Sequence, residues 1–120
     1  MAEHNDFGKN GELLAKAFLE SAGYEILDEN WTFGKAEVDL IAYRDKKIIF
    51  VEVKTRSNNN FGEPEDFVDT AKEQLMEIAA DEYIDLMSFE GDIRFDIISI
   101  LFDNKGKHTL RHIEDEFWPD

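Results

Sequence analysis

The chain contains no cysteine, so disulfides, thiolate metal sites and a cysteine nucleophile are excluded. No apolar run approaches the roughly 18–20 residues of a membrane helix. The start, Met1-Ala2-Glu3-His4-Asn5-Asp6, lacks the basic opening and apolar core of a secretory signal. A cytoplasmic location and no membrane partner are therefore expected. Positive charge is also scarce: 13 Lys and Arg stand against 28 Asp and Glu, a formal net charge of −15. Nucleic-acid binders neutralise phosphates with Lys and Arg, so the overall charge by itself argues against such a partner. What is present is a hydrophobic fraction of 42% that includes ten Phe, in 120 residues. That composition describes a folded single domain over 1–120 with one modest core.

The charge is segregated. Lys35 to Arg56 carries six basic and four acidic residues, whereas Glu63 to Asp85 carries nine acidic residues and one lysine, Lys72. The least acidic region is also the most strand-like. Val38-Asp39-Leu40-Ile41-Ala42 and Ile48 to Arg56 are β-rich runs joined by a polar Tyr43–Lys47 hairpin loop. Around them, the spacing predicts a helix from Phe7 to Ala22, capped by Asn5 or Asp6 and stopped by Gly23. Leu14, Ala15, Phe18, Leu19 and Ala22 form its apolar stripe. Gly8 and Gly11 allow a close backbone or ligand approach, and Glu12 at the stripe's edge needs a partner or a metal ion.

Short strands follow at Tyr24–Leu27 and Trp31–Phe33, separated by a polar break, then Glu37–Tyr43 and Lys47–Arg56. The latter is the expected sheet centre because Ile48 to Val53 is nearly all apolar. Ser57 to Pro64 reads as a loop, either a flap over the site or a plain connection. A helix from Glu65 to Met87 is expected to turn Val68, Ala71, Leu75, Ile78 and Ala79 inward. Strands at Ile93–Phe102 and Thr109–Ile113 complete the chain, with Phe117 and Trp118 in a tail. The order suits an α/β sandwich with a central mixed sheet.

Alternation places Glu52 and Lys54 on one strand face beside Phe50, and Glu37 and Asp39 on one face of the preceding strand. If the hairpin brings those faces together, Asp39, Glu52 and Lys54 converge. Asp is depleted in strands, which makes Asp39 unusual. Hard carboxylate oxygens are what Mg²⁺ requires in phosphodiester hydrolysis, and a neighbouring lysine can position water or stabilise the developing charge. Glu12 can complete the set or orient a water. Arg56 is either a phosphate contact or a solvated strand end, and Lys72 either a phosphate contact or a snorkelling lysine. Asp96 is expected to pair with Arg94. His4, His108 and His112 form no ligand spacing and are expected at the surface.

Gly8-x-x-Gly11-Glu12, Gly23-Tyr24-x-Ile26-Leu27-x-x-Asn30, Glu37-Val38-Asp39-Leu40-Ile41-Ala42 and Phe50-Val51-Glu52-Val53-Lys54-Thr55-Arg56 resemble the YraN-like family of small bacterial proteins. Lys72 and Arg94-Phe95-Asp96 fit the same pattern. That family is similar to the PD-(D/E)XK nucleases, above all Holliday-junction resolvases. The resemblance implies a restriction-endonuclease-like αβββαβ core with a central mixed sheet flanked by helices. It also implies a Mg²⁺ or Mn²⁺ site of Glu12, Asp39 and Glu52, with Lys54 as catalytic lysine. The Val53 carbonyl, lying between the two site residues, is a further candidate ligand. Arg56 and Lys72 are the candidate nucleic-acid contacts, with DNA of branched or structured form as the expected partner. A homodimer through the tail or a sheet edge would suit cleavage of two strands. Ala36 stands where the family pattern has glycine. The alternative is a non-catalytic nucleic-acid- or protein-binding module on the same fold.

Overall fold

The computed structural model describes residues 2–57 and 70–115, with side chains from residue 9 in the first segment and residue 71 in the second. Helix α1 (Ala2–Ser21) is followed by β1 (Glu25–Phe33), β2 (Ala36–Arg44), β3 (Lys47–Ser57), α2 (Thr70–Met87), β4 (Asp92–Phe102) and β5 (His108–Ile113). The five strands form one mixed sheet in sequential order, antiparallel throughout except for β3 and β4. A parallel pair needs a crossover, and the segment containing α2 supplies it. This arrangement is compatible with the expected αβββαβ core. The flap segment after Ser57, the helix start at Glu65, inward Val68 and the Phe117–Trp118 tail lie outside the described residues. Among the described residues no helix is long and apolar enough to cross a membrane.

Each sheet face carries its own core. Ile41, Ile48, Phe50, Phe95 and Ile97 pack against Met76, Ala79, Ala80 and Tyr83 of α2. Leu40, Ala42, Ile49, Val51, Ile98 and Ile100 pack against Ala15 and Leu19 of α1. Strand β3 is therefore covered on both sides, as its continuous apolar run requires. Helix α1 ends in a Schellman motif: the Tyr24 N–H donates to the Leu19 carbonyl, the Gly23 N–H to that of Glu20, and Gly23 has φ 94°.

Local expectations fail in four places. Helix α1 starts at Ala2, so Asn5 and Asp6 stand inside it rather than capping it. Strand β1 runs unbroken through the polar Asp28-Glu29-Asn30, because a bulge between Ile26 and Asp28 restores its pairing with β2. The hairpin loop contracts to Asp45 and Lys46, with φ of 54° and 66°, the left-handed pair of a tight two-residue turn. Helix α2 is rotated from its expected orientation. Ala71, Leu75 and Ile78 are exposed, and the buried stripe is Met76, Ala79, Ala80 and Tyr83. The Tyr83 hydroxyl donates to Asp28 Oδ2 at 2.7 Å and its ring meets Trp31 and Phe50 edge-on, contacts that hold the observed face inward.

Candidate functional site

The backbone at the end of the β2–β3 hairpin builds the site. Pairing between the two strands ends at Leu40↔Val51. One residue beyond, the Asp39 carboxylate takes over as acceptor: the Val53 N–H donates to Asp39 Oδ2 at 2.8 Å. Here an aspartate in a strand does the work of a ladder carbonyl, which accounts for an unfavourable residue at that position. Alternation also slips in this stretch, since Val38 and Ile41 belong to the same core cluster while Leu40 lies in the other.

Asp39, Glu52 and Lys72 line one cavity of about 410 Å³, together with Lys35, Ala36, Glu37, Ala71, Leu75 and Met76. Glu52 is 4% exposed and Lys54 is 8% exposed. The Lys54 ammonium lies 3.5 Å from Glu52 Oε2. Lys72 reaches the same oxygen from α2 and hydrogen-bonds it. Its route there follows from the helix rotation, because Lys72 is one turn before buried Met76.

The electrostatics are uneven. Burial, with Glu52 beside it, pushes the Asp39 carboxyl up to about 7, against the Val53 hydrogen bond. Burial pulls the Lys54 ammonium below the ordinary lysine range even though Glu52 attracts it, and Lys72 adds to the lowering. The Lys72 ammonium is raised: its burial opposes this, but the hydrogen bond to Glu52 outweighs it. Glu12 is half-buried in a neighbouring cavity of about 330 Å³, lined also by Lys9, Leu13, Glu29 and Asn30. The Asn30 amide donates to Glu12 Oε1 at 3.0 Å. Burial raises the Glu12 carboxyl, and Glu37, Glu29 and Glu52 raise it further, so it lies within electrostatic reach of the site.

Asp39, Glu52, Val53, Lys54 and Lys72 are thus brought together, Glu12 stands alongside, and Arg56 lies at the strand end, donating to the Thr55 carbonyl at 3.0 Å. Among the described residues no three His, Asp or Glu side chains converge tightly enough to hold a metal ion as they stand. The donor set nonetheless suits a hard divalent cation. It offers three carboxylates at one cavity, Glu37, Asp39 and Glu52, and one of them, Asp39, is destabilised as an anion by burial and by Glu52. Two partners escape sequence reasoning. Asn30 takes a left-handed backbone at φ 52°, and the Lys72–Glu52 bond depends on the rotation of α2. The four-residue spacing of Lys72 to Met76 is compatible with an inward position but does not by itself select it.

Away from this site Asp96 is buried at the centre of a second polar cluster. Arg94 donates to both its oxygens at 2.9 and 2.8 Å, His112 Nε2 lies 2.6 Å from Oδ2, and the Asp115 N–H donates to Oδ1 at 2.9 Å. His112 is therefore half-buried and tied to a carboxylate rather than free at the surface, while His108 is exposed.

Residues 11–100 match the model of the family described as uncharacterised protein family UPF0102. The chain is 49% identical over 118 residues to a UPF0102 protein of Flavobacterium psychrophilum, across 98% of each chain. It is 44% identical over 119 residues to one of Bacteroides thetaiotaomicron, across 99% of this chain and 98% of the relative. A Flavobacterium johnsoniae relative is 45% identical over 122 residues, with 98% of each covered.

Proposed function

The chain belongs to uncharacterised protein family UPF0102, to which its YraN-like motifs point, and on that premise we propose that it is a divalent-metal-dependent endonuclease of the PD-(D/E)XK type. The observation that carries this reading is the meeting of Asp39, Glu52 and Lys54 where β2 and β3 part, beside an open cavity. In this reading Asp39, Glu52 and the Val53 carbonyl hold Mg²⁺ or Mn²⁺, and Glu12 supports them from the adjacent cavity. The cation supplies polarisation of the phosphate and charge neutralisation in the transition state. Lys54, held 3.5 Å from Glu52 Oε2, positions the attacking water and stabilises the charge that develops on the phosphate. The water oxygen gives up a proton to solvent and forms the new bond to phosphorus as the bond to the 3′ oxygen breaks, and solvent protonates the departing oxygen, leaving a 3′-hydroxyl and a 5′-phosphate. Arg56 and Lys72 contact flanking phosphates, and DNA of branched or structured form is the substrate class.

Purified wild type and Glu52→Gln, incubated with junction, flap, single-stranded and duplex DNA with and without Mn²⁺ at low salt, test the proposal. Cleavage that requires Mn²⁺ and falls at least about 100-fold in the variant is expected. Equal cleavage by both proteins would overturn it. The net charge favours a second reading, a binding module whose α2 face docks a basic partner. Asp81 and Asp85 lie exposed there alongside Leu75, Ile78, Leu86 and Met87. Partner binding unaffected by Glu52→Gln distinguishes that case.

A further inference from the structure

Glu52 Oε2 accepts two ammonium groups, from Lys54 and Lys72, and the two lysines are held differently. The Lys54 side chain is 10% exposed and belongs to the central strand, so it has no route away from the carboxylate. The Lys72 side chain is 40% exposed, with its backbone fixed one turn from Met76 and its head at the wall of the open cavity. Of the two cations on that oxygen, Lys72 is the more exposed and the one that lines the open cavity.

We propose that Lys72 is a built-in stand-in for the divalent cation, neutralising Glu52 while the site holds none and yielding the carboxylate when a cation enters. The inference rests on the metal-dependent reading above and adds to it a residue that sets the metal affinity. A carboxylate as buried as Glu52 is costly without a close positive charge, so something must occupy that position in the cation-free protein. A cation bound to the same oxygen repels an ammonium already there, so Lys72 and the cation exclude each other. Apparent affinity then falls by the fraction of time the carboxylate is free. Once displaced from Glu52, the Lys72 ammonium remains at the cavity wall, placed to meet a phosphate. Its contact with nucleic acid would thus depend on prior cation binding.

Calorimetric titration of Mn²⁺ into metal-stripped wild type, Lys72→Met and Lys72→Arg tests the inference without any measurement of cleavage. If the ammonium holds Glu52 for about nine-tenths of the time, Lys72→Met binds Mn²⁺ roughly tenfold more tightly. Lys72→Arg, which keeps the charge, should bind as wild type does. Thermal unfolding runs alongside: Lys72→Met should melt lower than wild type without metal and gain more from added Mn²⁺. If Lys72→Met does not fold, Lys72→Gln takes its place with the same expectation. Binding by Lys72→Met alone would also support the inference, as a site that Lys72 closes. If wild type binds and Lys72→Met binds equally or more weakly, the inference falls and the metal-dependent reading stands. If neither binds, and Glu52→Gln is indistinguishable from both, the metal-dependent reading fails and takes the inference with it.

Discussion

Asp39 and Asp96 are both withdrawn from water, yet their surroundings act on them in opposite directions. For Asp39, burial and the Glu52 carboxylate raise the pKa to about 7, and one backbone N–H is too little to offset them. For Asp96, burial also pulls upward, but the bonds from His112, Arg94 and the Asp115 N–H outweigh it and hold the carboxyl below its ordinary value. Structural carboxylates are built like the second, whereas a carboxylate destabilised like the first marks a candidate functional site. In metal-free buffer, Asp39→Asn should therefore stabilise the protein by about 1–3 kcal/mol at pH 7, because the amide keeps an acceptor for Val53 and sheds the charge. A carboxyl whose folded pKa is raised loses stability as pH climbs from its unfolded value near 4 to about 7, so the advantage of the variant should grow across that window. Asp96→Asn should lose on the order of 3 kcal/mol at neutral pH by leaving Arg94 without its carboxylate. The Asp96 contribution is present above the unfolded value near 4 and is lost as pH falls through the lower folded value. Urea unfolding of the three proteins from pH 3 to 8 measures both differences, and a stabilising Asp96→Asn or a neutral Asp39→Asn would contradict this account.

At the scale of elements, the placement of α1 on the sheet depends on a glycine. A Cβ built on Gly11 falls 2.2 Å from Thr55 Oγ1 and 3.3 Å from its Cβ, so the helix rests directly on the strand one residue past Lys54. Gly11→Ala should destabilise by about 1–3 kcal/mol despite alanine's better helix propensity, since a short β-branched side chain on the central strand has little room to yield. Gly11→Ala/Thr55→Ala should recover a large part of that loss in thermal melts. A sterically neutral Gly11→Ala would mean that α1 does not approach β3 so closely. The same scale separates what the sequence makes legible from what it hides. The strand runs and the Gly23 stop are local patterns, and one short hairpin is enough to bring Asp39 near Glu52 and Lys54, although strict alternation slips at Asp39. The rotation of α2 is not local. Its sequence offers two apolar stripes that share Ala79, one with Ala71, Leu75 and Ile78 and the other with Met76, Ala80 and Tyr83, and periodicity cannot choose between them. The choice comes from small alanines that admit close packing and from the Tyr83 bond to Asp28, 55 residues away in sequence. With that rotation unknown, Lys72 reads as either a phosphate contact or a snorkelling lysine, and its bond to the buried Glu52 stays hidden. The tight turn at Asp45 and Lys46 was hidden for another reason, the absence of the glycine that usually announces it.

Over the whole molecule, a charge of −15 must be reconciled with the phosphate-bearing substrate that we propose. Basic DNA-binding proteins draw affinity from counterion release, with log K falling by about 0.9 per phosphate neutralised for each tenfold rise in salt. Here the proposed phosphate contacts are Arg56 and Lys72, and the neighbouring Glu12, Glu37, Asp39 and Glu52 set up an opposing field. Long-range repulsion between protein and DNA weakens as salt screens it, with a Debye length of about 10 Å at 0.1 M. The two effects act in opposite directions, so attraction at the site should come mainly from the bound cation. For Lys54→Ala, expected to bind without cutting, DNA affinity at constant Mn²⁺ should fall with added NaCl at a slope no steeper than about −2. It should also collapse on chelation of the metal, whereas a basic groove would persist. Fluorescence anisotropy between about 0.03 and 0.3 M salt resolves such a slope readily. A slope of about −5 or steeper, retained in chelator, would place the phosphates on a basic surface other than Arg56 and Lys72 and leave the acidic cavity without a role in recognition.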